Sequence, residues 1–105
     1  MKPSHWHPQA RRDLDEAATW LADQGGKALE LSIVDALDAT KDFIERHPGA
    51  GATRYATLVK IGELRFWPIK GFPYLVFYVE RATHMDIWRV LHAHRDIPAW
   101  MEEAK

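Results

Sequence analysis

The 34 residues from Glu63 to Asp96, ELRFWPIKGFPYLVFYVERATHMDIWRVLHAHRD, constrain the fold more than any other part of the chain. They contain three apolar and aromatic runs, separated by Lys70-Gly71-Phe72-Pro73 and Ala82-Thr83-His84-Met85. Short runs rich in Val, Ile, Phe, Tyr and Trp between turn signals form strands joined by hairpins, so the stretch reads as an antiparallel meander. Arg65, Arg89 and Arg95 fall inside or at the end of these strands. Cations are tolerated there when one face of an antiparallel sheet meets water, and an open face is a surface for a partner.

Within the run Tyr74–Glu80 the odd positions Leu75, Phe77 and Val79 are uniformly apolar, and the even ones are Tyr74, Val76, Tyr78 and Glu80. Strand periodicity then places the odd set against the rest of the core and the tyrosines on the open face. In Asp86–His94, Ile87 and Leu91 compete with Trp88 and Val90, and periodicity leaves the facing of that strand open. Leu64–Ile69 carries Pro68, which cannot donate to a ladder and therefore marks an edge or a bulge. Arg54–Ile61 reads as a further strand ahead of it.

The first half is helical in pattern. Ala10, Leu14, Ala17, Ala18 and Leu21 form one apolar stripe, and Leu29, Ile33, Ala36, Leu37, Thr40 and Ile44 form a second. Gly25-Gly26 separates them, and His47-Pro48-Gly49 ends the second, which predicts an antiparallel helical hairpin over Pro8–Gln24 and Lys27–Arg46. Arg11, Arg12, Asp15 and Glu16 fall on one outer face, and Asp35, Asp38, Asp42 and Glu45 on the other. Lys2–His7 reads as a short edge strand or extended arm, and Ile97–Glu103 as a terminal helix with Asp96 as its cap and Pro98 in its first turn. The expected architecture is α+β and two-layered: a helical hairpin on a mainly antiparallel sheet of three to four strands.

A chain of 105 residues suits one domain, here 1–105, with a single core. It has no cysteine, so neither a disulfide framework nor thiolate zinc chemistry is available, which fits a reducing cytoplasm. No apolar run reaches the roughly 18–20 residues of a membrane span, and the start lacks the apolar core of a signal peptide. The net charge of −1 divides unevenly: residues 1–53 hold six Lys or Arg against nine Asp or Glu, and residues 54–105 hold eight against six. So small a basic excess argues against strong direct nucleic-acid binding, which rests on neutralising many phosphates.

The order strand, helix, helix, meander is joined by particular residues. They are Pro8-x-Ala10-x-x-Asp13-Leu14, the strand opening Leu64-Arg65, the run Gly71 to Tyr78, and Arg89-Val90-Leu91-His92-Ala93-His94-Arg95-Asp96. Together they resemble the toxin of ParDE-type (plasmid stabilisation) toxin–antitoxin systems, over nearly the whole chain. The resemblance implies a RelE/ParE-like fold and a small bacterial toxin neutralised by a ParD-like antitoxin in a hetero-oligomeric complex.

The superfamily divides by target. RelE-like members cleave messenger RNA on the ribosome with a cluster of Lys and Arg and an acid–base group, because a pentavalent phosphate needs cations and the 2′-OH proton needs an acceptor. Here Gly62 and Glu63 stand where those enzymes tend to carry lysines, and Tyr74 where they place an arginine. Arg65, His92 and Arg95 would be the catalytic set of such an enzyme. The thinness of that set points to the ParE branch, implying a non-enzymatic toxin that binds DNA gyrase. The alternatives are the RelE-type endonuclease and a non-toxic relative that only binds an antitoxin. On the ParE reading the target-binding residues are Arg89, His92, Arg95, Asp96 and Trp100, with Arg65, Tyr74 and Tyr78 as contacts on the open face. His92-x-His94 and His5-x-His7 have spacings an ion could use, but the sequence supplies neither pair with an evident third ligand. No metal or cofactor is expected.

Overall fold

The computed structural model describes residues 2–56, 60–94 and 97–102, the last three of these by backbone alone. Strand β1 (Ser4–Trp6) leads into helix α1 (Pro8–Arg46), a 3-10 turn follows at Pro48–Ala50, and strands β2 (Leu64–Pro68), β3 (Tyr74–Glu80) and β4 (Met85–His92) precede helix α2 (Ile97–Glu102). The sheet order is β1-β4-β3-β2. The meander is antiparallel as expected, and β1 joins it in parallel with β4, pairing Ser4 with Met85 and Trp6 with Ile87. Pro68 ends edge strand β2, where its missing N–H costs no ladder bond. No helix among the described residues is long and apolar enough to cross a membrane.

The two expected helices are a single helical element of 39 residues, bent at one position. Gly26 has φ 77° and ψ −170°, outside the helical region and open to glycine at little steric cost. A straight helix of that length would span about 58 Å, whereas the longest dimension of the molecule is 38 Å. The bend brings Ala17 and Leu21 of the first limb against Ile33 of the second, and Ala10, Leu37 and Ile44 pack on the sheet. Pro8 stands in the first turn, where it forfeits no hydrogen bond.

The facing of β3 is the reverse of the sequence expectation. Val76 and Tyr78 face α1 together with Ile69, Met85, Ile87 and Val90. Leu75, Phe77 and Val79 face the other way, into a second cluster with Ala56, Leu64, Leu91 and Ile97, flanked by Tyr55, Ile61, Phe66 and Trp88. Neither face of the central strand is open, because α2 and the connection after α1 cover the second one. Among the described residues of 54–61, positions 54–56 and 60 are turns and position 61 is irregular, so the expected strand is not formed there, and Ala52 bridges to Phe66.

A β-bulge explains why the facing of β4 does not follow from periodicity. Phe77 pairs with Arg89 and Tyr78 with Ile87, so Trp88 has no opposite residue. An extra residue shifts the phase of the strand. Ile87 and Val90, three apart, both reach the α1 side, whereas Trp88 and Leu91 pack on the other.

Candidate functional site

Three of the residues singled out in the sequence, Arg89, His92 and Tyr74, lie on or beside the carboxyl-terminal half of β4, and the structure separates them sharply by role. Arg89 has no exposed surface. Its Nε donates to Asp13 Oδ2 at 2.7 Å and its Nη2 to Asp13 Oδ1 at 2.8 Å, a two-pronged ion pair between β4 and the first limb of α1. The backbone N–H of Val90 donates to the same Asp13 Oδ2 at 3.0 Å, an approach that the bulge makes available. Arg89 is thus a core residue, not a surface contact: a buried guanidinium needs a partner that matches its fork. Asp13 and Arg89 are both among the residues that carry the family resemblance. Their pairing is invisible in the sequence because 76 positions separate them.

His92 ends β4 half-buried. Its Nδ1 accepts from the backbone N–H of His94 at 3.1 Å, and the Tyr74 ring meets it edge-on with centroids 5.3 Å apart. His92 and Tyr74 line a groove of about 350 Å³ with Asp13, Glu16, Ala17 and Trp20. The Trp20 side chain is 56% exposed at its rim, and Leu31 at 51% and Phe43 at 36% add apolar surface elsewhere on α1. Asp15, Glu16, Asp23, Asp35, Asp38 and Asp42 are also exposed, so the helical element presents apolar side chains in an acidic field. The sequence signal for this surface was Trp20 itself, one position before the buried Leu21 and off the stripe. Glu45 departs from that pattern, being buried, and accepts from Ser4 Oγ at 2.6 Å.

Arg65 and Tyr78 meet at the other end of the sheet and hold the turn after α1. The Tyr78 hydroxyl donates to the Pro48 carbonyl at 2.8 Å and accepts from the Gly51 N–H at 3.0 Å. Burial pushes its pKa above the usual tyrosine value, outweighing the Gly51 hydrogen bond and the Arg65 charge, which act in the opposite sense. A Cβ on Gly51 would stand 2.3 Å from that hydroxyl, which is why glycine is needed there. Arg65 Nη1 donates to the carbonyls of Gly51 at 2.8 Å and Gly49 at 3.3 Å. Tyr78 is therefore a core anchor and not an open-face contact, and Tyr74 lies on the α1 side.

Arg65 pairs with Tyr78 across β2–β3, and His92 pairs with Tyr74 across β3–β4. Four residues of strand separate these positions along β3, about 13 Å, and Arg65 is engaged by backbone oxygens. The structure does not bring Arg65 and His92 to one point. Arg95 and Asp96, the latter expected as the cap of α2, and the side chain of Trp100 lie outside the described residues. Among the described residues a three-ligand grouping is formed not by His92 with His94, nor by His5 with His7, but by His5, His84 and Asp86.

Comparison with known proteins places this architecture. The family model described as ParE toxin of type II toxin-antitoxin system, parDE, matches residues 5–97. No curated protein matches the chain. Among solved structures, one from the chromosomal ParDE TA system of P. aeruginosa superposes with a TM-score of 0.72 at 17% identity, covering 88% of this chain and 96% of its own. The chain thus shares the fold of that structure, and by the match over residues 5–97 it belongs to the ParE toxin family of type II toxin–antitoxin systems.

Proposed function

We propose that this ParE toxin arrests growth by binding DNA gyrase in the cytoplasm and is silenced by a ParD-like antitoxin. The observation that carries the non-enzymatic reading is the separation of Arg65 from His92. A ribonuclease of this superfamily would need its cations and its proton acceptor around one phosphate, and here Arg65 is spent on the carbonyls of Gly49 and Gly51.

The target-binding surface is the end of β4 and the segment beyond it: His92, Arg95, Asp96 and Trp100. Arg and Trp are the residue types that most often anchor interfaces. The antitoxin covers the acidic helical element, setting apolar side chains against Trp20 and Leu31 and cationic flanks against Asp15, Glu16 and Asp35. Supercoiling by purified gyrase tests the reading. The intact chain inhibits it, and Arg95→Ala with Trp100→Ala, or truncation after Asp96, relieves inhibition while circular dichroism stays unchanged. Codon-dependent cleavage of messenger RNA on ribosomes, lost in Arg65→Ala, would instead establish the endonuclease.

A further inference from the structure

The β1–β4 register sets His5 beside Asp86 on the sheet face away from α1. His84, in the turn before β4, stacks on His5 with ring centroids 4.3 Å apart and planes inclined by 19°. One nitrogen from each imidazole and one oxygen of Asp86 lie within 4.8 Å of one another. His84 Nε2 and Asp86 Oδ1 are 2.9 Å apart. Two ligands of a tetrahedral ion bound at roughly 2.0–2.1 Å stand about 3.3 Å apart, so this pair needs to spread by only about 0.4 Å to admit one. His5 is exposed, so its side chain is not locked in place by surrounding core atoms.

The surroundings match what such ligands require. Metal-bound imidazoles donate their second N–H outward, and ligating carboxylates are themselves hydrogen-bonded. Here Thr83 Oγ1 lies 3.2 Å from His84 Nδ1, and Arg81 Nε donates to the second oxygen of Asp86 at 2.8 Å. Partial burial pushes the Asp86 carboxyl up, but the bonds from Arg81 and His84 and their charge hold it below the usual range, so it is an anion at neutral pH.

We propose that His5, His84 and Asp86 form a surface site for a divalent transition-metal ion of the zinc class. Two imidazoles and one carboxylate favour zinc, cobalt or nickel over magnesium or calcium. Three protein ligands leave a coordination position for water or for a partner's side chain. The ion takes the place of the hydrogen that bridges His84 and Asp86, and ties β1, a strand of three residues held at the sheet edge by β4, to the turn after β3.

The test uses the tag-free chain titrated with cobalt(II), followed by visible absorption, and with zinc by calorimetry. One ion per chain is expected. His5→Ala and Asp86→Asn each abolish the cobalt spectrum, Thr83→Ala weakens binding about tenfold, and His94→Ala leaves it unchanged. The exposed His5 keeps the test informative should Asp86→Asn fail to fold. No saturable cobalt binding, or binding that survives His5→Ala, overturns the site. Because the readout is metal binding by the isolated chain, it stands or falls independently of gyrase inhibition.

Discussion

The two faces of the sheet are held by different chemistry. The α1 face combines an apolar cluster with polar links of fixed geometry: Asp13 to Arg89, Tyr78 to Pro48 and Gly51, and Ser4 to Glu45. The buried part of the opposite face is aromatic and aliphatic, with Phe66, Phe77 and Tyr55 tilted against one another at centroid separations of 5.5–5.8 Å around Leu75, Leu91 and Ile97, and its polar His5, His84 and Asp86 are confined to the β1 edge. Burying apolar area is non-directional, so the second face supplies cohesion without choosing a register. Directional bonds supply the choice on the first: only one alignment of β4 under α1 satisfies Asp13, Arg89 and the Val90 N–H at once.

The largest effect separating the faces is expected at Arg89. Arg89→Met strands a buried Asp13 carboxylate and should cost about 3–5 kcal/mol in urea unfolding. Asp13→Leu combined with Arg89→Met should recover most of the loss. A double variant as unstable as the single one would show that the pair is not coupled.

Leu91→Ala on the far face tests cohesion alone. It should cost about 2–4 kcal/mol through lost burial and a residual cavity, with no second-site change restoring it as the ion-pair swap does. Tyr78→Phe probes a neutral directional bond and should cost about 0.5–1.5 kcal/mol.

The same tyrosine makes a pH prediction. Its folded pKa is raised, so the unfolded chain loses its proton first as pH rises past about 10. Stability from this group is complete below that value. It then falls by up to about 1.4 kcal/mol per pH unit until the folded pKa is reached. Tyr78→Phe should flatten that alkaline limb in melts between about pH 9 and pH 11, a window set by the ordinary tyrosine value. An unchanged slope would locate the proton elsewhere. Smallest of all, Lys2→Met should cost under about 1 kcal/mol, because the partly exposed Lys2–Glu80 pair is screened by solvent.

Helical stripes and strand runs were legible because each reflects a local period. Ala10, Ile33, Leu37 and Ile44 are buried where the 3.6-residue pattern puts them, and the meander follows its Gly-Phe-Pro and Ala-Thr-His punctuation. Facing was not legible in β3, because both alternations of LVFYV are apolar enough to bury and the tyrosine ring is chosen inward by the Pro48 carbonyl and the Gly51 N–H, far off in sequence. In β4 the bulge breaks the period itself. Glu45 fits the outer acidic row by spacing, and its burial depends on Ser4, 41 positions away. The same non-locality hid the Arg89 core role and the meeting of His5 with His84, since both partners are supplied by elements joined only through the sheet.

Because β1 lies against β4, the first strand cannot be seated until the last has been made. Its pairing spans about 80 residues of chain, and closing so long a loop costs entropy before any contact returns it. The meander and the bent helix form from nearer neighbours and can precede it. A ribosome-bound chain lacking β4 therefore has neither a partner for β1 nor Arg89 for the buried Asp13. In hydrogen exchange, the amides of β1 should be the earliest of the sheet to open and the last to regain protection on refolding.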